Sequence, residues 1–146
     1  MSPYAVAAIV IGIAFLLSAR RAYAGVSGGR SQSFLDFAES IAYAEGYGVP
    51  GAIPTVRNNP GDLKLTGDGS ITTFPTVQAG WDALYHQLEI MRDGTSSYYR
   101  PDMRLIDMAR IWTTTEQSAW VSNVVRSMQS RGHSVTIYSI LGDVLA

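Results

Sequence analysis

Glu45 is the strongest candidate for chemistry in this chain, because it stands where a helical pattern gives way to a loop rich in Gly and Pro. A helix C-terminus carries partial negative charge, which disfavours ionisation of a carboxyl group there. Tyr43 and Tyr47 could add desolvation, which acts in the same direction. A carboxyl group kept protonated in this way can serve as a general acid for glycosidic cleavage. The alternative is an ordinary solvated Glu at a helix end.

Apolar residues at helical spacing predict the helix that leads to this carboxyl group. Phe34, Phe37 and Ile41 recur with the period of a helix, and Ser33 can cap its first turn. Gly46 suits the left-handed position at which many helices end. The helix would therefore present its last carboxylate to the following loop.

That loop is predicted to be irregular and to lead into a small hairpin. Residues 47–61 are rich in Gly and Pro and contain Asn58 and Asn59. Segments 62–65 and 71–74 flank an Asp-Gly pair, which is typical of a β-hairpin turn. The two Asn side chains could donate amide hydrogen bonds to N-acetyl groups, or only shape a turn.

The rest of the chain is predicted to be helical. The expected helices run from Thr76 to about Arg92, from a cap at Asp102, through residues 121–128, and over residues 137–145. Together with the hairpin they predict an α+β fold that is mainly α.

The three Trp residues fall into two groups. Trp81 and Trp112 lie on apolar stripes and are predicted to be core residues. Trp120 stands beside the Val stripe of its helix. It could face a cleft and stack on a sugar, or belong to the core.

Charge and composition exclude several classes of function. All 12 acidic residues but only 8 of the 11 basic ones follow residue 30, so residues 31–146 have a formal charge of −4. This argues against binding to nucleic acid. The chain has no Cys, and His86 and His133 are far apart without a carboxylate cluster beside them. We therefore expect neither a metal nor another cofactor.

The N-terminal segment has the pattern of a membrane anchor. Residues 4–18 are apolar and uncharged, and Arg20 and Arg21 follow. We predict a single transmembrane helix within residues 1–23. A cleaved signal peptide is the alternative, but no basic residue precedes the apolar run.

The remaining boundaries follow from composition. Residues 24–32 are rich in Gly and Ser and are predicted to be a flexible linker. Residues 33–146 are then the globular domain, which is long enough to bury a core without disulfides.

Several short motifs occur in order between residues 33 and 130. They are Ala44-Glu45-Gly46, Arg57-Asn58-Asn59-Pro60-Gly61-Asp62-Leu63, Phe74-Pro75-Thr76, Ala79-Gly80-Trp81 and Trp120-Val121-Ser122-Asn123-Val124. This ordered set resembles the phage and prophage branch of the lysozyme-like lytic transglycosylases. The anchor is similar to that of the transglycosylases of tailless bacteriophages with an internal membrane. The chain departs from the soluble enzymes, which have Ser after the catalytic Glu and carry Gly-Leu-Met-Gln and Ala-Tyr-Asn motifs.

The resemblance implies a lysozyme-like domain that cleaves the β-1,4 bond between N-acetylmuramic acid and N-acetylglucosamine in peptidoglycan. Glu45 would be the catalytic acid, and the product would be a 1,6-anhydro sugar. The candidate substrate-binding residues are Tyr47, Asn58, Asn59, Trp120 and Asn123. A hydrolytic muramidase is the alternative chemistry, and Asp62 is then the candidate second carboxylate, with Asp68 weaker.

Location and partners follow the same resemblance. The positive-inside rule places the domain after Arg20 and Arg21 on the cytoplasmic side, although the cell wall lies outside. The internal membrane of a phage virion, which meets the wall during entry, reconciles the two. The expected partners are then peptidoglycan, the membrane and other virion membrane or capsid proteins. A bacterial inner membrane is the alternative location, and a non-catalytic glycan-binding virion protein the alternative function.

Overall fold

The computed structural model of the protein describes residues 29–146, and α-helices dominate this range, as predicted. The isolated antiparallel bridge between Arg104 and Ile140 is the β-structure within it. The helices are α1 (Gln32–Ala44), α2 (Ile53–Val56), α3 (Val77–Arg92), α4 (Leu105–Trp112), α5 (Gln117–Ser130) and α6 (Leu141–Leu145).

Helix α1 lies at the centre of the domain and packs against α5, α6 and α3. Its apolar stripe, including Phe34, Phe37 and Ile41, is fully buried. The opposing helices contribute apolar residues at the same spacing, so one continuous core forms. The fully buried contributors from the other helices include Leu84, Leu88, Met91, Met108, Met128 and Leu141.

The N-cap of α1 lies two residues earlier in the chain than predicted. Ser31, not Ser33, is the N-cap, and its hydroxyl oxygen accepts a hydrogen bond from the Phe34 N–H at 3.0 Å. Ser33 instead donates to the carbonyl of Val144 at 2.6 Å. The predicted cap residue therefore links α1 to α6.

Polar contacts also join α1 to the end of α5. Arg131 at the C-cap of α5 pairs with both Asp36 and Glu39 of α1. Both carboxylates are buried, so a charged partner offsets the cost of their desolvation. The two helices are thus held by charge at one end and by apolar packing along their length.

The predicted β-hairpin is wrong. Segments 62–65 and 71–74 lie side by side, but a single backbone hydrogen bond, from the Thr72 N–H to the Leu63 carbonyl at 2.9 Å, joins them. The Leu65 N–H turns to the hydroxyl of Thr72, and the Asn59 amide donates to the carbonyls of both Leu63 and Thr72. Side chains thus take the groups that a strand ladder would have paired.

Three other predicted boundaries need correction. The loop over 47–61 is not irregular throughout, because α2 lies inside it with a Pro in its first turn. Asp102 does not cap α4, since Arg104 is the N-cap and Asp102 pairs with Arg100. The last helix begins at Leu141 rather than near residue 137.

The late start of α6 and the missing cap of α4 have one cause. The carbonyls of Ser139 and Ile137 accept hydrogen bonds from the Leu105 and Ile106 N–H groups at 3.0 and 2.9 Å. These are N–H groups of the first turn of α4, which have no partner within their own helix. Residues 137–139 form a turn, in which the Ser139 N–H donates to the Thr136 carbonyl at 3.1 Å, and this turn directs the two carbonyls to α4 instead of into a helix.

The described part of the predicted linker is folded. Arg30 forms a 2.7 Å ion pair with Glu89 and lies 4.5 Å from the centre of the Tyr85 ring. The domain therefore includes Arg30 and the residues after it. The predicted anchor over residues 1–23 lies outside the described residues, and from residue 29 onwards no helix has the length and apolarity needed to cross a bilayer.

Candidate active site

Glu45 is held at the end of α1 by a well-formed C-cap. The Tyr47 N–H donates to the carbonyl of Ala42 at 2.9 Å, and the Gly46 N–H donates to that of Tyr43 at 3.0 Å. This pair of bonds is the Schellman motif, which needs a left-handed residue after the cap. Gly46 supplies it with a φ of +79°. The predicted helix end is confirmed, with Glu45 as the cap residue.

Two indole groups hold the carboxyl group of Glu45. Trp112 donates its Nε1–H to Oε1 at 2.9 Å, and Trp120 donates its Nε1–H to the same oxygen at 2.8 Å. The two rings stack with centroids 5.9 Å apart and an angle of 28° between their planes. Three helices, α1, α4 and α5, therefore meet at one oxygen atom.

A tight connection between α4 and α5 makes this meeting possible. Trp112 is the last residue of α4 and Trp120 lies in the first turn of α5. Between them Glu116 takes a left-handed conformation with φ +51°, and Gln117 donates to the Thr113 carbonyl at 3.1 Å. The sharp reversal brings the two rings together.

The pKa of Glu45 is raised, as the sequence predicted. Burial is the main cause, and the negative charge of Asp62 adds to it. The hydrogen bonds from Trp120 and Trp112 and the charge of Lys64 lower the pKa, but burial outweighs them. Tyr43 is 42% exposed, so the indoles rather than this tyrosine enclose the carboxyl group.

Asp62 is the second carboxylate near the site. Its charge acts on Glu45, and its own pKa is raised by burial, against the lowering effects of Lys64 and Arg57. Its backbone is left-handed with φ +50°, and its Oδ1 is buried without a hydrogen-bond partner within residues 29–146. A buried carboxylate oxygen without a donor is costly, which makes Asp62 unusual for a purely structural residue.

The paired Asn residues build the loop beside these carboxyl groups. Asn59 is fully buried, donates to the carbonyls of Leu63 and Thr72 at 2.9 and 2.8 Å, and accepts from the Leu63 N–H at 2.8 Å. Asn58 is left-handed and donates to the Phe74 carbonyl at 3.1 Å. These contacts favour the loop-shaping alternative for Asn59, whose amide is fully occupied.

The motif around Gly80 also has a structural explanation. A Cβ atom on Gly80 would lie 1.7 Å from the carbonyl oxygen of Asn58. The loop that carries Asn58 therefore lies directly on α3, and only Gly allows that approach. Gly80 sets how close the loop comes to the helix.

The other candidate substrate-binding residues are placed as follows. Tyr47 is 4% exposed, and its ring meets Trp81 edge-on at 5.7 Å in the core. Trp120 is 7% exposed and has one ring face against Trp112, which leaves little of it for stacking on a sugar. Asn123 is half-buried one turn further along α5 and accepts a 3.4 Å hydrogen bond from Arg126.

Trp112 is the site residue that sequence reasoning missed. Its position on an apolar stripe predicted a core residue, and its ring does pack against the core and Tyr99. Its indole N–H nevertheless reaches Glu45. Helical spacing reports the side of a helix that is buried, but not the direction of one polar atom on that side.

Residues 29–146 contain no group of three His, Cys, Asp or Glu side chains arranged to hold a metal ion. His133 does have a carboxylate beside it, since its Nε2 lies 2.8 Å from Oδ2 of Asp36, a contact that the sequence did not predict.

The chain matches no family model, no curated protein and no solved structure. A functional assignment therefore depends on the site itself, which is the proper basis for one.

Proposed function

We propose that this protein is a lytic transglycosylase with a lysozyme-like domain, that peptidoglycan is its substrate, and that Glu45 is its general acid and base. The observation that carries the proposal is the enclosure of Glu45 at a helix end, with two indole donors on one oxygen and a raised pKa. An enclosed carboxyl group with a raised pKa can stay protonated near neutral pH and still give up its proton to a substrate oxygen.

In the proposed reaction Glu45 acts twice. It first protonates the oxygen between N-acetylmuramic acid and N-acetylglucosamine, and the bond to that oxygen breaks with its electron pair. The carboxylate then takes a proton from the C6 hydroxyl of the muramic residue, whose oxygen bonds to C1. One carboxyl group suffices, and the product is a 1,6-anhydro ring.

The position of Asp62 favours one alternative, a hydrolytic muramidase. A retaining glycosidase needs a second carboxylate to attack or stabilise the sugar, and an inverting enzyme needs one to activate water. Asp62 lies close enough for its charge to act on Glu45, and its Oδ1 is buried and unpaired among the described residues. The end group of the released fragments separates the two reactions.

We also propose that the protein acts while attached to a membrane, through the apolar segment within residues 1–23. A phage virion with an internal membrane is the favoured setting, because such a membrane meets the wall during entry. Other virion membrane or capsid proteins are then candidate partners, and a bacterial inner membrane is the alternative location.

A peptidoglycan zymogram of the full chain tests the proposal. We expect lysis by the wild type and a loss of about a hundredfold or more in Glu45→Gln, because a general acid contributes at least that factor. Glu116→Gln is the matched control, since Glu116 is exposed and the same carboxyl-to-amide change is made there. Equal lysis by the Glu45 variant would overturn the assignment.

Mass spectrometry of the products completes the test. Anhydromuramic ends support the transglycosylase, whereas reducing ends support the muramidase. Glycan binding without lysis by the wild type would indicate the non-catalytic alternative.

A further inference from the structure

We infer that Trp112 and Trp120 are positioning residues that fix which oxygen of Glu45 carries the acid proton. They make Oε1 a permanent acceptor and leave Oε2 as the atom that donates to the substrate. This inference rests on the proposed function, since it assigns the atom through which that reaction proceeds.

The assignment follows from the donor count at Oε1. An indole nitrogen can only donate a hydrogen bond, so both contacts at 2.9 and 2.8 Å require Oε1 to accept. A third hydrogen on an oxygen that already faces two N–H groups would repel both of them. The neutral carboxyl group therefore carries its proton on Oε2, to which no hydrogen bond from residues 29–146 is made.

The two donors are fixed in place by their surroundings. Their rings stack on each other, Trp120 is almost fully buried, and Trp112 also meets Tyr99 at 6.1 Å between ring centroids. Each ring belongs to a different helix, so neither N–H can turn away without breaking a packed contact. Rigid support of this kind is what a catalytic carboxyl group requires.

The same bonds act more strongly after the proton leaves. When Oε2 gives its proton to the glycosidic oxygen, the C–O electron pair goes to the leaving oxygen and Glu45 becomes negative. Both N–H contacts then become charge-assisted, and such hydrogen bonds are roughly twice as strong as neutral ones. The pair therefore stabilises the transition state more than the bound substrate, which raises kcat rather than lowering KM.

NMR of the indole N–H groups tests the contact without any substrate. The chain has three Trp residues and so gives three indole Nε1–H signals. We expect two of them to shift together, with one midpoint, as Glu45 titrates, while the Trp81 signal does not follow. The Glu45→Gln variant should abolish both shifts. The inference would be overturned if the Trp112 and Trp120 indole signals did not shift with pH in the wild type, or if they still shifted in the variant.

The activity test uses variants that keep the aromatic ring but lose the donor. For Trp112→Phe and Trp120→Phe we expect kcat to fall by up to about a hundredfold with KM little changed. The basic limb of the pH profile should move to higher pH, because each bond lowers the pKa of Glu45. Trp81→Phe is the control, since Trp81 is a core residue whose loss should reduce stability without moving that limb.

The two proposals can fail separately. An inactive wild type would refute the proposed function, while the NMR titration would still test the indole contacts. An active wild type whose Phe variants keep the same pH limb would refute the positioning role alone. If Trp120→Phe does not fold, Trp112→Phe is sufficient, because Trp112 is half-buried at a helix end.

Discussion

Glu45 is subject to two opposing influences from its own neighbours. Burial favours its neutral form, whereas the two indole N–H groups favour its charged form. A carboxyl group with only the first influence would hold its proton too tightly to donate it, and one with only the second would be ionised before substrate arrived. The raised pKa is the outcome of this balance.

The balance has a measurable effect on stability. Because the pKa of Glu45 is higher in the folded state than its ordinary value of 4.5, the folded protein is favoured below that value and loses stability as pH rises through the folded pKa. Glu45→Gln cannot ionise at this position, so it does not lose stability in this way as pH rises. We therefore expect the variant to unfold at a higher urea concentration than the wild type at pH 7, with a smaller difference at pH 4. The same difference at both pH values would contradict this coupling, and Glu116→Gln, at an exposed position, is the control for the substitution itself.

Asp62 gives a second prediction at this scale. Its negative charge raises the pKa of Glu45, so Asp62→Asn should move the basic limb of the activity profile to lower pH. If the transglycosylase reaction is correct, the variant keeps its anhydro products and a rate within about tenfold of wild type, since no second carboxylate is required. Asp68→Asn is the control, because Asp68 bonds within its own exposed turn. A loss of about a hundredfold or more in Asp62→Asn would instead favour the muramidase.

The sequence identified the carboxyl group but not what holds it. A Glu before a Gly at the end of an apolar helix is a local pattern, and the Schellman motif confirms that helix end. The contact with Trp112 joins residues 67 apart along the chain. Such a contact depends on how α4 and α5 pack, which no short pattern records.

At the scale of elements, the helices follow from local patterns, whereas the absence of the predicted hairpin depends on contacts between segments. Apolar spacing predicted α1, α3 and α5 because a buried stripe is a property of each helix alone. The Asp-Gly pair predicted a turn between 62–65 and 71–74, but pairing of these segments depended on distant groups. Asn59 donates to one carbonyl in each segment, and the Leu65 N–H bonds to the Thr72 hydroxyl, so the turn formed with a single ladder bond between the segments.

Two Gly residues allow a matched test of how closely the loop that carries Asn58 packs on α3. In Gly80→Ala the new Cβ would meet the Asn58 carbonyl oxygen at 1.7 Å, and we expect a loss of about 3 kcal/mol or more in the free energy of unfolding. Gly46→Ala has open space but a φ of +79°, and should cost about 1 to 2 kcal/mol. Urea denaturation measures both. Similar losses at the two positions would show that the loop does not press on α3 as described.

At the scale of the whole molecule, the two ends of α1 make different contacts. Arg30 docks just before its start, and Glu45 caps its end. A helix of 13 residues is about 20 Å long, so the docking contact and the carboxyl group are well separated. Changes at one end should leave the other unaffected.

Arg30→Ala tests this separation. The variant loses the ion pair with Glu89 and the contact with the Tyr85 ring, both partly buried, and should be less stable by about 1 kcal/mol. We expect its pH profile of activity to match the wild type. Arg100→Ala is the control, because its pair with Asp102 is largely exposed and should contribute little. A shifted pH profile in Arg30→Ala would show that the two ends are coupled.

The docking of Arg30 also fixes the place at which the preceding chain meets the domain. Whatever precedes it in the chain leaves the domain beside the start of α1, so α1 acts as a spacer between the point of attachment and the carboxyl group. The start of α1, where the preceding chain joins the domain, and the carboxyl group of Glu45 are therefore about 20 Å apart.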